Sequence, residues 1–310
     1  MRLLITGSLG LVGASMLNRL RQAGIDVVEF DIRKDGHDIR DREAVRRAIA
    51  GCDGVVHLAA ISRVAWGETD PALCDDINIT GTAVILDAAA MEPKRPWVLF
   101  ASSREIYGDP AAFPVREDAA MAPLNTYGRS KAEGEKLVTA AAEGGLRTAI
   151  VRLSNVYGTA NDHPDRAVPS LLGRAVRGEE LRISGENHFF DFVHVDDCVR
   201  GLMMVIERLQ GGIETPPLHL ATGIRTTLGE LARAAIATAQ SASELKVLPS
   251  RSFDVAGFQG DPARAAEVLG WHAEIGLDEG LRRLRDIMVA RGRPLDPVEM
   301  PREAAETTAG

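Results

Sequence analysis

The first half of the chain alternates short apolar runs with stretches of helical periodicity. Leu3 to Ile5 form an apolar run that reads as a buried strand, and the stretch after it places Leu17 and Leu20 on one helical face. "DVVEFDIR", ending at Asp31, predicts a second strand and "DGVVHLAA" a third. "PALCDDINITGTAVILDAAAM" reads as a long helix, "PWVLFASS" as a fourth strand, "NTYGRSKAEGEKLVTAAAEG" as another helix and "RTAIVRLS" as another strand. Strands separated by helices of this length predict an α/β fold, a parallel sheet covered on both faces. Ligands of such sheets bind outside the carboxyl ends of the strands, where Asp31, Ser103 and the segment after Leu153 would emerge.

From about residue 158 the pattern loosens. "VPSLLGRAVRG" and "TTLGELARAAIATAQ" look helical, with the short strands "LRIS" and "LHLAT" between them. The reading is a nucleotide-binding domain over 1–157 and a smaller, interleaved α/β substrate region over 158–293. Residues 190–210 are expected to return to the core. The tail 294–310, rich in proline and glutamate, reads as mobile and not catalytic.

Composition narrows the function by exclusion. With 310 residues the chain can bury a large core. Its net charge of −8 and the lack of a basic stripe argue against a nucleic-acid partner. No apolar stretch approaches the length of a membrane span, and a strand starting at Arg2 leaves no room for a signal peptide. The three cysteines, odd in number and far apart, suit a reducing compartment, so a cytoplasmic protein is expected. The seven histidines show no ligand spacing, and no metal site is expected.

Two local patterns carry chemistry. Gly7, Gly10 and Gly13 form GxxGxxG between a strand and a helix, where glycines allow a tight turn and close approach to a pyrophosphate at the helix N-terminus. A carboxylate at Asp31, about 20 residues further on, is placed to accept from the adenosine ribose, which favours NAD over NADP. Arg33 and Lys34 stand close enough to suit a 2′-phosphate instead, but Asp31 would repel one. Tyr127 and Lys131, spaced YxxxK, share one helix face. A nearby ammonium favours the phenolate, so the phenol pKa is expected to fall from about 10 toward neutrality. Tyr127 would then serve as base toward a hydroxyl and as acid toward a carbonyl. The spacing alone also suits a surface aromatic and a solvated lysine; the glycine turn and Ser103 favour the chemical reading.

With these motifs in hand, the chain resembles the extended short-chain dehydrogenase/reductase family, in its nucleotide-sugar epimerase/dehydratase branch. The carriers are "TGSLGLVG", "DIRD" at Asp38, "VVHLAA", "NITGT" at Asn78, "ASSREIYG" at Ala101 and YxxxK. Later come "RLSNVYG" at Arg152, "DFVHVDD" at Asp191 and "FQGDPARAAEVLGW" at Phe258. The resemblance covers about residues 2 to 290 and implies a Rossmann-type doubly wound sheet. It also implies Ser103, Tyr127 and Lys131 as catalytic triad, with Ser102 as a strand-end cap. NAD would lie along Gly7, Leu9, Gly10, Leu11, Val12 and Gly13, then Asp31 and Arg33, with Asp38 and Ile39 beside the adenine. Leu58, Ala59, Ala60 and Ala101 would complete its contacts, together with Tyr127 and Lys131. Ser103, Asn155, Arg182, Phe190 and Arg251 would face the substrate, a nucleotide sugar or a sugar. In relatives the helices matching Pro71 to Met91 and Asn125 to Glu143 pair into a dimer, so a homodimer is implied.

Two positions depart from the pattern. Glu105 aligns with a glutamate that sugar 4,6-dehydratases and uronic-acid decarboxylases carry, yet the dehydratase acid beside it is here Arg104, which cannot give up a proton. Glu105 can equally be a solvated residue or a partner for Arg104. Phe190 stands where relatives usually carry an arginine that clamps the substrate diphosphate, and a ring cannot replace a planar fork. The leading expectation is an NAD-dependent nucleotide-sugar 4-epimerase. The alternatives are a dehydratase or decarboxylase using Glu105, a dehydrogenase of a sugar or sugar acid, and, from another class, a cofactor-sensing protein that has lost its chemistry.

Overall fold

The computed structural model describes residues 1–34, 36–249 and 255–291. In chain order the strands are β1 (Arg2–Thr6), β2 (Asp26–Phe30), β3 (Gly54–His57), β4 (Trp97–Ser103), β5 (Thr148–Leu153) and β6 (Asn155–Tyr157). They continue as β7 (Leu181–Ser184), β8 (Phe189–Phe190), β9 (Phe192–His194), β10 (Leu218–Leu220), β11 (Thr226–Thr227) and β12 (Leu245–Leu248). Six of them form one parallel sheet in the order β2-β1-β3-β4-β5-β10.

The apolar runs are buried on both faces, as a doubly covered sheet requires. Leu3, Ile5, Val56 and Val151 face the helices Leu11–Gln22 and Val195–Gln210 and meet Leu17, Leu20, Leu202 and Ile206. Leu4, Val55, Phe100 and Ile150 face the other way, onto Val45, Ile85, Ala89 and Val138 of three further helices. The period of two along each strand is therefore read out as two cores. A third core, remote from the sheet, gathers Leu171, Leu172, Leu231, Leu281 and Leu284 from the helices of the C-terminal half.

The chain comes back to the sheet over a longer stretch than the 190–210 expected, because β10 adds the edge strand beside β5. Three residues are too short for periodicity to show which sheet they join. Buried carboxylates tie this return in place. Asp191 accepts from the Thr222 hydroxyl and amide (2.7 and 2.9 Å) and from the Gly223 amide (2.8 Å). Asp197 accepts from the amides of Glu274 and Ile275 (2.9 and 2.8 Å). The expected long helix at Pro71–Met91 contains a π-helical turn at Asp76–Thr80. There the Asn78 amide donates to Ser130 Oγ (2.8 Å) and to the Ile61 carbonyl (3.1 Å), pinning the helix to its neighbours.

Strand order reverses direction between β1 and β3, the point at which open parallel sheets leave a crevice. The two strand ends are locked together there. Thr6 Oγ1 and Thr82 Oγ1 hold the two ring nitrogens of His57 at 2.7 and 3.0 Å. Burial pushes the His57 pKa down to about 3, so the ring is neutral and serves as a fastener.

Candidate active site

At that switch point opens a cleft of about 920 Å³, lined by the ends of β1 to β5 and the loops that follow them. The glycine turn forms one wall. Gly7 sits at φ +69°, and a Cβ there would lie 2.7 Å from the Ala59 nitrogen. A Cβ on Gly13 would stand 2.1 Å from the Gly7 carbonyl oxygen, so the first turn of the helix can seat against the strand end only without a side chain. The cradle left by these glycines, opening onto a helix of 12 residues, fits a dinucleotide pyrophosphate.

Asp31, 5% exposed, directly follows the second strand and lines the same cleft. Its carboxylate accepts from the Leu9 amide (2.8 Å) and from the Arg33 backbone and side chain (3.0 and 3.2 Å). Leu9 itself does not line the cleft; it acts on the site by fixing Asp31. Gly10, Leu11, Val12, Arg33, Asp38, Ile39, Leu58, Ala59, Ala60 and Ala101 all do line it.

Ser103, Tyr127 and Lys131 line the same cleft. Ser103 ends the fourth strand, and its hydroxyl accepts from the Glu105 amide at 3.2 Å. Tyr127 and Lys131 belong to the helix Thr126–Glu143, which Asn125 caps by accepting from the Gly128 amide at 2.8 Å. One turn separates the two side chains on the face turned to the cleft. The Lys131 ammonium donates to the Ala101 carbonyl (2.8 Å) and lies 4.7 Å from the centre of the Phe100 ring.

The expected effect of Lys131 on Tyr127 is corrected by burial. Desolvation pushes the phenol pKa up to about 12, against the pull of a hydrogen bond with Ser103, and the nearby Glu105 charge raises it further. Lys131 is pushed down to about 8 by the same loss of water. Charging either group in this dry wall is costly, and spacing along a helix carries no information about solvent. Ser102 is no cap: its hydroxyl is buried and has no hydrogen-bond partner among the described residues.

Glu105 lines the cleft and is 8% exposed. Arg104 Nη2 lies 2.6 Å from its Oε1, and the Asn125 side chain donates to its Oε2 at 2.8 Å. It is thus a partner for Arg104, held between two donors. Asn155 also lines the cleft, and its Oδ1 accepts from Arg104 Nε at 2.6 Å. Phe190 is not part of the cleft wall. Its ring lies under Arg104, whose guanidinium carbon is 4.8 Å from the ring centre. Arg182 is likewise absent from the wall; its side chain is 62% exposed and paired with Glu180 on the strand Leu181–Ser184. Arg251 falls outside the described residues.

The model of the NAD dependent epimerase/dehydratase family matches residues 3–216, which holds the glycine turn, Asp31, Ser103, Tyr127 and Lys131. The chain belongs to this family. It is 28% identical over 306 residues to the UDP-glucose 4-epimerase of Mycolicibacterium smegmatis, covering 91% of this chain and 97% of that one. It is equally 28% identical over 303 residues to UDP-glucuronic acid decarboxylase 6 of Arabidopsis thaliana, covering 91% of this chain and 87% of that protein. Among solved structures, the UDP-glucose 4-epimerase of Thermotoga maritima with UDP-glucose superposes with a TM-score of 0.88 at 27% identity, covering 94% of this chain and all of that one. Other solved chains of this fold are complexes with NAD.

As a member of this NAD-dependent family the chain adds a rim that its periodicity did not disclose. Arg63, just beyond the third strand, pairs with Asp165 in the loop after β6. Trp66 meets His163 edge-on, with ring centres 5.0 Å apart. Arg166 pairs with the buried Asp162 at 3.2 Å. Arg63, Trp66, His163, Asp165 and Arg166 all line the cleft. The signal for His163, Asp165 and Arg166 was the polar stretch "TANDHPDR" directly after a strand end, which the irregular patterning beyond residue 158 obscured.

Proposed function

We propose that the protein is an NAD-dependent nucleotide-sugar 4-epimerase, working as a cytoplasmic homodimer. The observation that carries this is the convergence of Ser103, Tyr127 and Lys131 on the cleft that the glycine turn also lines. NAD⁺ would lie along Gly7 to Gly13 with its ribose on Asp31, supplying an acceptor for hydride and a positive ring. Ser103 and Tyr127 donate to the sugar oxygen on which charge develops, and Tyr127 takes and returns its proton. The raised phenol pKa suits the return step, in which Tyr127 reprotonates the oxygen. Lys131, fixed by the Ala101 carbonyl, is in place for the ribose of the cofactor. Glu105 and Asn155 meet the sugar beyond the reacting carbon.

The experiment is incubation of the purified protein with catalytic NAD⁺ and a panel of nucleotide sugars, followed by mass spectrometry and NADH absorbance. An isomer of unchanged mass without net NADH supports the proposal. Loss of about 18 Da would make Glu105 a working base and the enzyme a dehydratase. Loss of carbon dioxide would make it a decarboxylase, and accumulating NADH a dehydrogenase. The dehydratase reading is the weaker one on chemistry. Arg104 occupies the place of the acid that protonates a departing hydroxyl, and a guanidinium keeps its proton. A cellular function that survived Tyr127→Phe would point to a cofactor sensor instead.

A further inference from the structure

We infer that Arg104 selects a sugar carrying a carboxylate next to the reacting carbon, so that the substrate is a nucleotide-linked uronic acid; this rests on the 4-epimerase reading above. Arg104 follows Ser103 directly in the chain and lines the same cleft. Its guanidinium is held from several sides. Nε donates to Asn155 Oδ1 at 2.6 Å, Nη2 meets Glu105 Oε1 at 2.6 Å, and the planar face rests on Phe190 and Phe258, 4.8 and 5.8 Å from the ring centres. The side chain is 12% exposed. Nη1 makes no hydrogen bond to the described residues.

This is a preorganised cation whose Nη1 is left without a hydrogen bond among the described residues. A guanidinium presents donors along separate edges, so one carboxylate can sit at Nη2 while another is taken at Nη1. Aromatic faces fix the plane while leaving the edge donors free.

Position decides which anion it reads. The reacting oxygen, on C4, sits at Ser103 and Tyr127. On a pyranose ring the neighbours of C4 are C3, which bears a neutral hydroxyl, and C5, which bears C6. The diphosphate hangs from C1, across the ring. An arginine one residue from Ser103 therefore addresses the substituent on C5, and that substituent is anionic only when C6 is a carboxylate.

The test uses the NAD⁺-loaded enzyme with UDP-glucuronic acid, UDP-galacturonic acid, UDP-glucose and UDP-galactose. Turnover is followed by mass spectrometry and binding by calorimetry, for wild type, Arg104→Gln, Arg104→Lys and the double variant R104Q/E105Q. Wild type should favour the uronic acids over the hexoses by roughly 30-fold in kcat/KM, the scale of a hydrogen-bonded charge pair. Arg104→Gln should bring the ratio of uronic-acid to hexose kcat/KM close to one, chiefly through the KM of the uronic acids, and still bind NAD⁺. Arg104→Lys should restore part of the preference. The loss should persist in the double variant, which excludes repulsion by an unpaired Glu105 as its cause. The inference is overturned if the hexoses turn over as well as the uronic acids, or if Arg104→Gln weakens all four compounds equally, since Arg104 would then read the diphosphate. If no compound is isomerised yet the uronic acids bind tighter and lose that advantage in Arg104→Gln, the epimerase reading fails and the carboxylate site stands.

Discussion

Lys131 is expected to be a liability to the fold that catalysis retains, and Lys131→Met measures it. The side chain is 4% exposed, and burial takes its pKa from 10.5 to about 8. At about 1.4 kcal/mol per pH unit, this gap corresponds to roughly 3 kcal/mol of destabilisation while the group is charged. The sign follows from proton counting. Between pH 8 and 10.5 the unfolded chain holds the proton more tightly than the native one, so stability rises with pH across that window and the full cost applies below it. Methionine keeps the unbranched stem and removes the charge. It also strips the Ala101 carbonyl of its donor, a loss of about 1–2 kcal/mol. The net expectation at pH 7 for cofactor-free protein is a gain of about 1–2 kcal/mol, or about 2–4 °C in Tm by calorimetry. Near pH 10 the gain should vanish or reverse, and sugar turnover should be lost at every pH. A variant that melts below wild type at pH 7, or whose difference from wild type does not change with pH, would refute the argument.

Other expectations follow from single contacts. Tyr127→Phe should lower turnover by roughly 10³-fold or more while NAD⁺ affinity, read by calorimetry, stays within a few-fold. Gly13→Ala drives a Cβ to 2.1 Å from the Gly7 carbonyl oxygen, so the turn must open. The expected result is a cost of about 1–3 kcal/mol in unfolding free energy and a loss of NAD⁺ binding. Arg152→Met should cost about 3–5 kcal/mol in denaturant unfolding, because it leaves Glu135 buried without the guanidinium that meets it at 2.7 and 2.9 Å. The double variant R152M/E135L should recover most of that loss. Asp31→Asn should weaken NAD⁺ binding by about tenfold and narrow the preference over NADP⁺, checked by titrating both cofactors.

The strands and the glycine turn were legible because their signal is local. Leu3 to Ile5, Val55 and Val56, and Leu99 and Phe100 must be apolar to lie within a sheet covered on both faces, and Gly7 and Gly13 must lack side chains to let a helix start against a strand. YxxxK was legible for the same reason, since one helical turn sets the relation of Tyr127 to Lys131 wherever the helix sits. The motif order likewise pointed to the family before any contact was known.

What a residue does with its neighbours across the fold was decided by tertiary packing alone. No spacing could show that the wall around Tyr127 is dry, so the phenol pKa was expected to fall where burial makes it rise. Phe190 was read as a lost phosphate ligand, and only the approach of the strand Phe189–Phe190 to the end of β4 makes it a platform for Arg104. Arg182 was a charge of the right kind on a strand that turns it to solvent, and β10 was too short to reveal that it closes the main sheet. Local covalent and conformational rules act between residues a few positions apart and can be read along the chain. Desolvation and side-chain hydrogen bonding depend on groups far apart in the chain, as Arg104 is 51 positions from Asn155, and exist only once the chain has folded.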